Sequence, residues 1–149
     1  MHALYNRRSV HGRAHILSIS LLLLAGCSSP KPAGVEDLRG GRDLSLFKLV
    51  SVRGARDGDR LAAQVYFSDS SSILTLDLRF AIGTPTSLES GTWRWARDNK
   101  VQNGTVTARS VTFLGGQDEG PSIGGRFDLA GADGSALYVV RLPVTRVKP

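Results

Sequence analysis

The chain has 149 residues, 41% of them hydrophobic and 21% charged, with a formal net charge of +6 at pH 7. These are ordinary proportions for one globular domain, and about 105–110 residues can bury enough surface to fold without a disulfide staple. All 3 histidines (His2, His11, His15) and the single methionine lie in the first 15 residues, and the one cysteine is Cys27. Residues 28–149 therefore hold no Ser-His-Asp triad, no Cys-His pair, no His-ligated zinc and no disulfide of their own. A non-catalytic protein without a metal is the expectation.

The first 26 residues fall into zones. Arg7, Arg8 and Arg13 make a basic start, and Ile16 to Ala25 is an apolar run broken only by Ser18 and Ser20. A spanning helix needs about 20 apolar residues, so this run has the length of a secretion-signal core instead. No later segment is apolar enough to span a membrane as a helix. The run ends in Leu24-Ala25-Gly26-Cys27, an aliphatic residue and two small residues before a cysteine.

That tetrapeptide resembles the lipobox of bacterial lipoproteins. The resemblance implies cleavage between Gly26 and Cys27, a diacylglycerol on the Cys27 sulfur, and a fatty acid such as palmitate on the new amino group. Two or three acyl chains anchor stably where one is marginal. In a Gram-negative host, Ser28 in the following position would favour the outer membrane. Cleavage there removes 3 arginines and no acidic residue, leaving 16 basic against 13 acidic side chains and a net charge of +3. The expected organisation is a signal peptide over 1–26, a lipidated start and tether over 27–41, and a globular domain over 42–149.

Ser28-Ser29-Pro30-Lys31-Pro32-Ala33-Gly34 is small, polar and proline-rich, and reads as a flexible spacer. Val35 to Gly41 is ambiguous, since Val-Glu-Asp-Leu-Arg suits one helical turn before Gly40-Gly41. From about Asp43 the period is two. Leu44, Leu46, Val50 and Val52 alternate, although Phe47 and Leu49 are also apolar. Leu61, Ala63, Val65 and Phe67 form a second run, and Leu74, Leu76, Leu78, Phe80 and Ile82 a third. Trp93 and Trp95 flank Arg94 on another. In 105–114 the apolar phase shifts between Val106/Ala108 and Val111/Phe113, which predicts a bulge near Arg109-Ser110. Ile123, Gly125, Phe127 and Leu129 alternate next. Leu137 to Val147 starts apolar on both faces, and Pro143 predicts an edge or a bulge.

Turn signals separate these runs at Arg56-Asp57-Gly58-Asp59, Gly83-Thr84-Pro85, Arg97-Asp98-Asn99-Lys100, Asn103-Gly104, Gly115-Gly116 and Asp133-Gly134. The expectation is all-β: an antiparallel sandwich or small barrel of about seven to eight strands.

Four groups of residues are candidates for chemistry. Trp93 and Trp95, with Arg94 between them, would form a stacking platform for sugars or a partner if exposed, and a core pair if buried. Asp57, Asp59 and Asp69 offer loop carboxylates for calcium, but their spacing matches no EF-hand and suits plain turn chemistry. Asp118-Glu119 is the densest acidic spot, though adjacent residues in a glycine-rich loop fit glycosidic acid/base work poorly. Of the 16 basic residues after Cys27, 12 are arginine, whose forked donors suit the phosphates of lipopolysaccharide or an anionic cell-wall polymer. They are scattered, so nucleic acid is not expected as a partner. The sequence thus points to a membrane-anchored envelope lipoprotein carrying a binding or assembly module that contacts another envelope protein or polymer. A carbohydrate module using Trp93/Trp95 and a purely structural lipoprotein are the alternatives. No cofactor is expected beyond the acyl groups on Cys27.

Overall fold

The computed structural model describes residues 31–115 and 120–149. Gly26, Cys27 and Ser28, and likewise Asp118 and Glu119, lie outside the described residues. Eight strands make up the fold: β1 (Gly34–Asp37), β2 (Lys48–Asp57), β3 (Arg60–Ser68), β4 (Ser72–Ala81), β5 (Ser87–Arg97), β6 (Lys100–Leu114), β7 (Ser122–Ala130) and β8 (Ala136–Arg146). The protein is all-β, as the alternating runs predict. All eight strands join one antiparallel sheet in the order β1-β8-β7-β6-β5-β4-β3-β2, so the arrangement is a single curled half-barrel and not two stacked sheets.

From β2 to β8 each strand lies beside its neighbour in sequence, and the joins from β2 to β6 and from β7 to β8 are short. The β2–β3 and β5–β6 turns are the tightest, with two residues each. Arg97 pairs with Lys100, and Asp98 and Asn99 between them have φ of 46° and 62°. Two consecutive left-handed residues make the two-residue hairpin turn whose twist matches that of its strands, and Asp and Asn tolerate that conformation best after glycine.

In the first alternating run Leu44 and Val52 are buried but Leu46 and Val50 are exposed, whereas the apolar residues of the runs on β3, β4 and β7 turn to the inner face. Leu61, Ala63, Val65 and Phe67 on β3 and Leu74, Leu76, Leu78 and Phe80 on β4 are buried there with Ile123, Phe127 and Leu129 on β7. Fully burying a side chain of this size contributes roughly 1.5–3 kcal/mol. The outer face of the same strands carries Gln64, Asp77 and Arg79. Both expected irregularities are present. The β6–β7 register shifts between Ala108 and Ser110, leaving Arg109 without a partner opposite. On β8, Pro143 and Val144 together face one β7 residue, because Ile123 pairs with Thr145 and Gly125 with Leu142. A proline has no N–H for the ladder, and a bulge removes the need for one.

Two stretches differ from the sequence reading. Residues 34–37 form strand β1 rather than a helical turn, pairing from Gly34↔Arg141 to Asp37↔Tyr138. The open edge of β8 supplies hydrogen-bond partners that a lone helical turn would lack, and Val35 is buried in the process. Strand β1 therefore lies inside the stretch read as tether. Asn103-Gly104 is no turn but the interior of β6, with Gly104 opposite Trp93. A Cβ on Gly104 would overlap the Ala130 carbonyl oxygen and come within 2.7 Å of the Trp93 Nε1. The glycine clears space for an indole.

The residues after β8 tie the sheet together. The Val147 N–H donates to the Pro121 carbonyl at 2.8 Å, the Lys148 N–H to Val52 at 3.0 Å, and the Gly54 N–H to Lys148 at 2.8 Å. Arg53 and Lys148 thereby form a parallel bridge between the C-terminal residues and β2, the far edge of the sheet.

Gly104→Ala should lower stability by about 3 kcal/mol, since the added methyl group displaces either the backbone of Ala130 or the Trp93 ring. A urea-unfolding midpoint within error of the parent would contradict this account of Gly104.

Candidate functional site at the aromatic end

Strand β5 turns Trp93 and Trp95 to the inner face and Arg94 to the outside. The two indoles are 2% and 4% exposed. They form a core pair, with no ring face left open for stacking on a sugar. The Trp93 Nε1 donates to the Ala130 carbonyl at 2.8 Å, through the gap that Gly104 leaves. The Trp95 Nε1 is equally buried and has no acceptor.

Tyr138, from the first turn-proximal residues of β8, lies beside both indoles, with centroids 5.8 Å from Trp93 and 5.0 Å from Trp95. Phe47, from the segment joining β1 to β2, meets Trp95 at 5.1 Å. All these contacts are edge-to-face, the arrangement that sets the positive rim of one ring against the negative face of the next. Two arginines of the same β1–β2 segment cover the cluster. The Arg39 guanidinium lies 5.1 Å from the Tyr138 centroid, and that of Arg42 lies 5.5 Å from the Trp95 centroid.

Arg39 is fixed from both sides. Its Nη2 donates to the Tyr138 hydroxyl at 2.7 Å, and its backbone N–H donates to Asp37 Oδ1 at 2.9 Å. The Tyr138 hydroxyl in turn donates to Gln102 Oε1 at 3.2 Å. The Tyr138 oxygen, followed by the hydrogen bond and charge of Asp37, raises the Arg39 pKa against the opposing effect of desolvation. Arg39, Arg42, Phe47, Gln102 and Tyr138 escaped the sequence reading. Arg39 and Tyr138 stand 99 positions apart in the chain, and only the β1–β8 pairing brings them together.

Beside this cluster is a pocket of about 250 Å³ lined by Arg42, Trp95, Arg97, Asp98, Lys100 and Gln102. Arg97 and Asp98 pair at 3.3 Å with both side chains more than half exposed, where an ion pair is worth little. Across the β5–β6 turn lies a wider hollow of about 650 Å³, bordered by the Asp69–Ser72 loop and Arg94. A shallow groove of about 720 Å³ runs along the outer face of β2 to β5 past Arg53, Gln64, Asp77 and Arg79.

The carboxylates do not converge. Asp57 and Asp59 sit in the β2–β3 turn region, apart from Asp69 at the end of β3. No group of three or more His, Cys, Asp or Glu residues could hold a metal ion among the described residues. Asp69 binds its own loop: its Oδ1 accepts from the Ser71 and Ser72 N–H groups at 2.8 and 2.7 Å, and from the Ser72 hydroxyl at 2.9 Å. Burial pushes its pKa up, but the hydrogen bonds from Ser71 and Ser72 outweigh that and hold it below the ordinary 3.8.

Two measurements check this assignment of roles. Trp93→Phe should cost at least about 1 kcal/mol more than Trp95→Phe in chemical unfolding, because only Trp93 loses a buried hydrogen bond. Equal losses would mean that the Trp93–Ala130 bond contributes nothing. Asp69→Ala should destabilise by about 1 kcal/mol at neutral pH. A carboxylate with a lowered pKa stabilises fully above its unfolded value and ceases to as pH falls through its folded value. The gap between parent and variant should therefore close on acidification below 3.8, and a gap independent of pH would refute the capping role.

No family model matches the chain, and no curated protein and no solved structure matches it either.

Proposed function

We propose that this chain is a bacterial envelope lipoprotein, anchored through acyl groups on Cys27, whose β domain is a non-catalytic binding module. The observation that carries the proposal is Leu24-Ala25-Gly26-Cys27 at the end of a basic start and a short apolar run. No helix among the described residues is long and apolar enough to cross a membrane, which is compatible with a lipid anchor.

The register of β1 supports a direction for the module. Gly34 pairs with Arg141 and Asp37 with Tyr138, so the chain enters β1 from the Arg146 end of β8 and proceeds towards the aromatic end. The 6 residues from Ser28 to Ala33 span at most about 20 Å. A domain held this close to the bilayer turns the Arg39, Arg42 and Trp95 end away from it, towards whatever the module binds. The carbohydrate alternative has lost its platform, since both indoles are buried.

Cys27→Ser should move the protein from the membrane fraction to the soluble fraction, and mass spectrometry of the native protein should find an acylated Cys27 as its first residue. Unchanged membrane association, or a native form that starts elsewhere with a free thiol, would overturn the proposal.

A further inference from the structure

We propose that the pocket beside Trp95 binds a phosphomonoester, held by Arg42 and Lys100. This deepens the reading of the domain as a binding module by naming the chemistry of its ligand.

The case rests on an excess of donors. Arg97 has Asp98 as a partner, but Arg42 and Lys100 form no ion pair with any carboxylate among the described residues. The other acidic groups of this end are engaged, Asp37 with Arg39 and Asp43 with Ser45. Gln102 has its oxygen taken by the Tyr138 hydroxyl, which leaves the amide hydrogens as its remaining polar function. The Trp95 N–H can only donate, and it has no acceptor. The pocket is lined by Arg42, Arg97, Lys100, the Gln102 amide and a single carboxylate, Asp98, which Arg97 already holds, so its donors outnumber its acceptors.

Charge and size narrow the ligand further. With Arg97 and Asp98 offsetting each other, Arg42 and Lys100 present two uncompensated positive charges. A phosphomonoester carries about −1.5 to −2 at pH 7 and so balances them, where a carboxylate supplies half as much. An arginine fork suits phosphate oxygens, and lysine adds a point charge. At about 250 Å³ the pocket falls just below the usual ligand range of roughly 300–1,000 Å³. It admits a phosphate and the first few atoms attached to it. The Arg42 guanidinium already lies over the Trp95 ring, so the ligand is recognised by charge and N–H donation and not by stacking. The Trp95 Nε1 itself is fully buried, so a bound anion would sit with Arg42 over the ring and be sensed by the indole through its charge rather than through a direct hydrogen bond.

A terminal phosphate could belong to a soluble molecule or to a lipid headgroup. The chain has 2 tryptophans, so ¹⁵N labelling gives two indole N–H signals, and Trp93→Phe assigns them. The full-length protein in nonionic detergent would be titrated with glycerol 3-phosphate, with glycerol as the uncharged control. The expected result is a saturable shift of the Trp95 signal alone, no response to glycerol, and affinity about tenfold weaker in Arg42→Gln and in Lys100→Gln. Both residues are exposed, so neither change should disturb folding. A parallel arm measures binding of the Cys27→Ser protein to phosphatidylcholine vesicles with and without phosphatidic acid. Binding to both probes, lost in both variants, assigns the site to a lipid headgroup, and binding to glycerol 3-phosphate alone assigns it to a soluble phosphate. No Trp95 shift, a shift unchanged in both variants, or binding to vesicles alone would overturn the pocket. The titration repeated on Cys27→Ser keeps the two proposals separable, because loss of the anchor leaves the pocket response intact.

Discussion

A single sheet has an apolar face and no second layer to cover it, so it must curl until that face covers itself. The rest of the structure follows from this constraint. Curling needs places where the ladder is allowed to break, and the bulges at Arg109 and at Pro143-Val144 provide them on adjoining stretches of β6 to β8. It also needs something to hold the two ends of the sheet near one another. Residues beyond β8 do this through two backbone hydrogen bonds to β2 and the buried side chain of Val147. The segment between β1 and β2 completes the enclosure by laying Leu44 and Phe47 into the core.

The same enclosure accounts for the aromatic end. A half-barrel interior has to be filled from its own walls, and chains after Cys27 that contain no methionine fill it with rings. Rings of tryptophan and tyrosine bring polar atoms with them, and each must find a partner inside or at the rim. Trp93 meets the Ala130 carbonyl because Gly104 lets it approach, and Tyr138 links Arg39 to Gln102. Trp95 alone is left with an unpaired donor. Packing has thus produced a chemical asymmetry at the point where the β1–β2 segment also brings two arginines.

Local pattern made most of the sheet legible from sequence. Strict alternation identified β3, β4 and β7, and a slip in that alternation placed a bulge near Arg109-Ser110, where the register shifts at Arg109. The inward direction of Trp93 and Trp95 was one of two readings that the Trp-Arg-Trp spacing left open, and the demand for bulky core side chains decided it. What the sequence hid depends on distant partners. Gly34–Asp37 has no strand pattern of its own and is a strand because β8 has an edge to offer. Asn103-Gly104 has turn chemistry, yet Gly104 serves an indole on the neighbouring strand. The assembly of Arg39, Arg42, Tyr138 and Gln102 has no local signature at all, since three separate segments contribute to it.

The fate of the carboxylates explains why a modest net charge can still leave strong local cations. Several aspartates are spent on the backbone of their own turns: Asp43 accepts from Ser45, Asp69 from Ser71 and Ser72, and Asp133 from Ser135. Hydrogen bonds from those serines hold all three below the ordinary carboxylate value, in Asp69 against the opposing pull of burial. Others are committed to single arginines, Asp37 to Arg39 and Asp128 to Arg109. An acidic group that caps a turn gives little to a lysine or arginine elsewhere, because its charge is already shared with nearby N–H and O–H groups. Among the arginines of the described residues, Arg56 is tied to a turn in this way, its Nε donating to the Gly58 carbonyl at 2.8 Å. The positive charge therefore collects wherever two or three basic side chains meet without a free aspartate, and at the rim of the aromatic cluster Arg42 and Lys100 do so beside the buried Trp95 N–H, which has no acceptor.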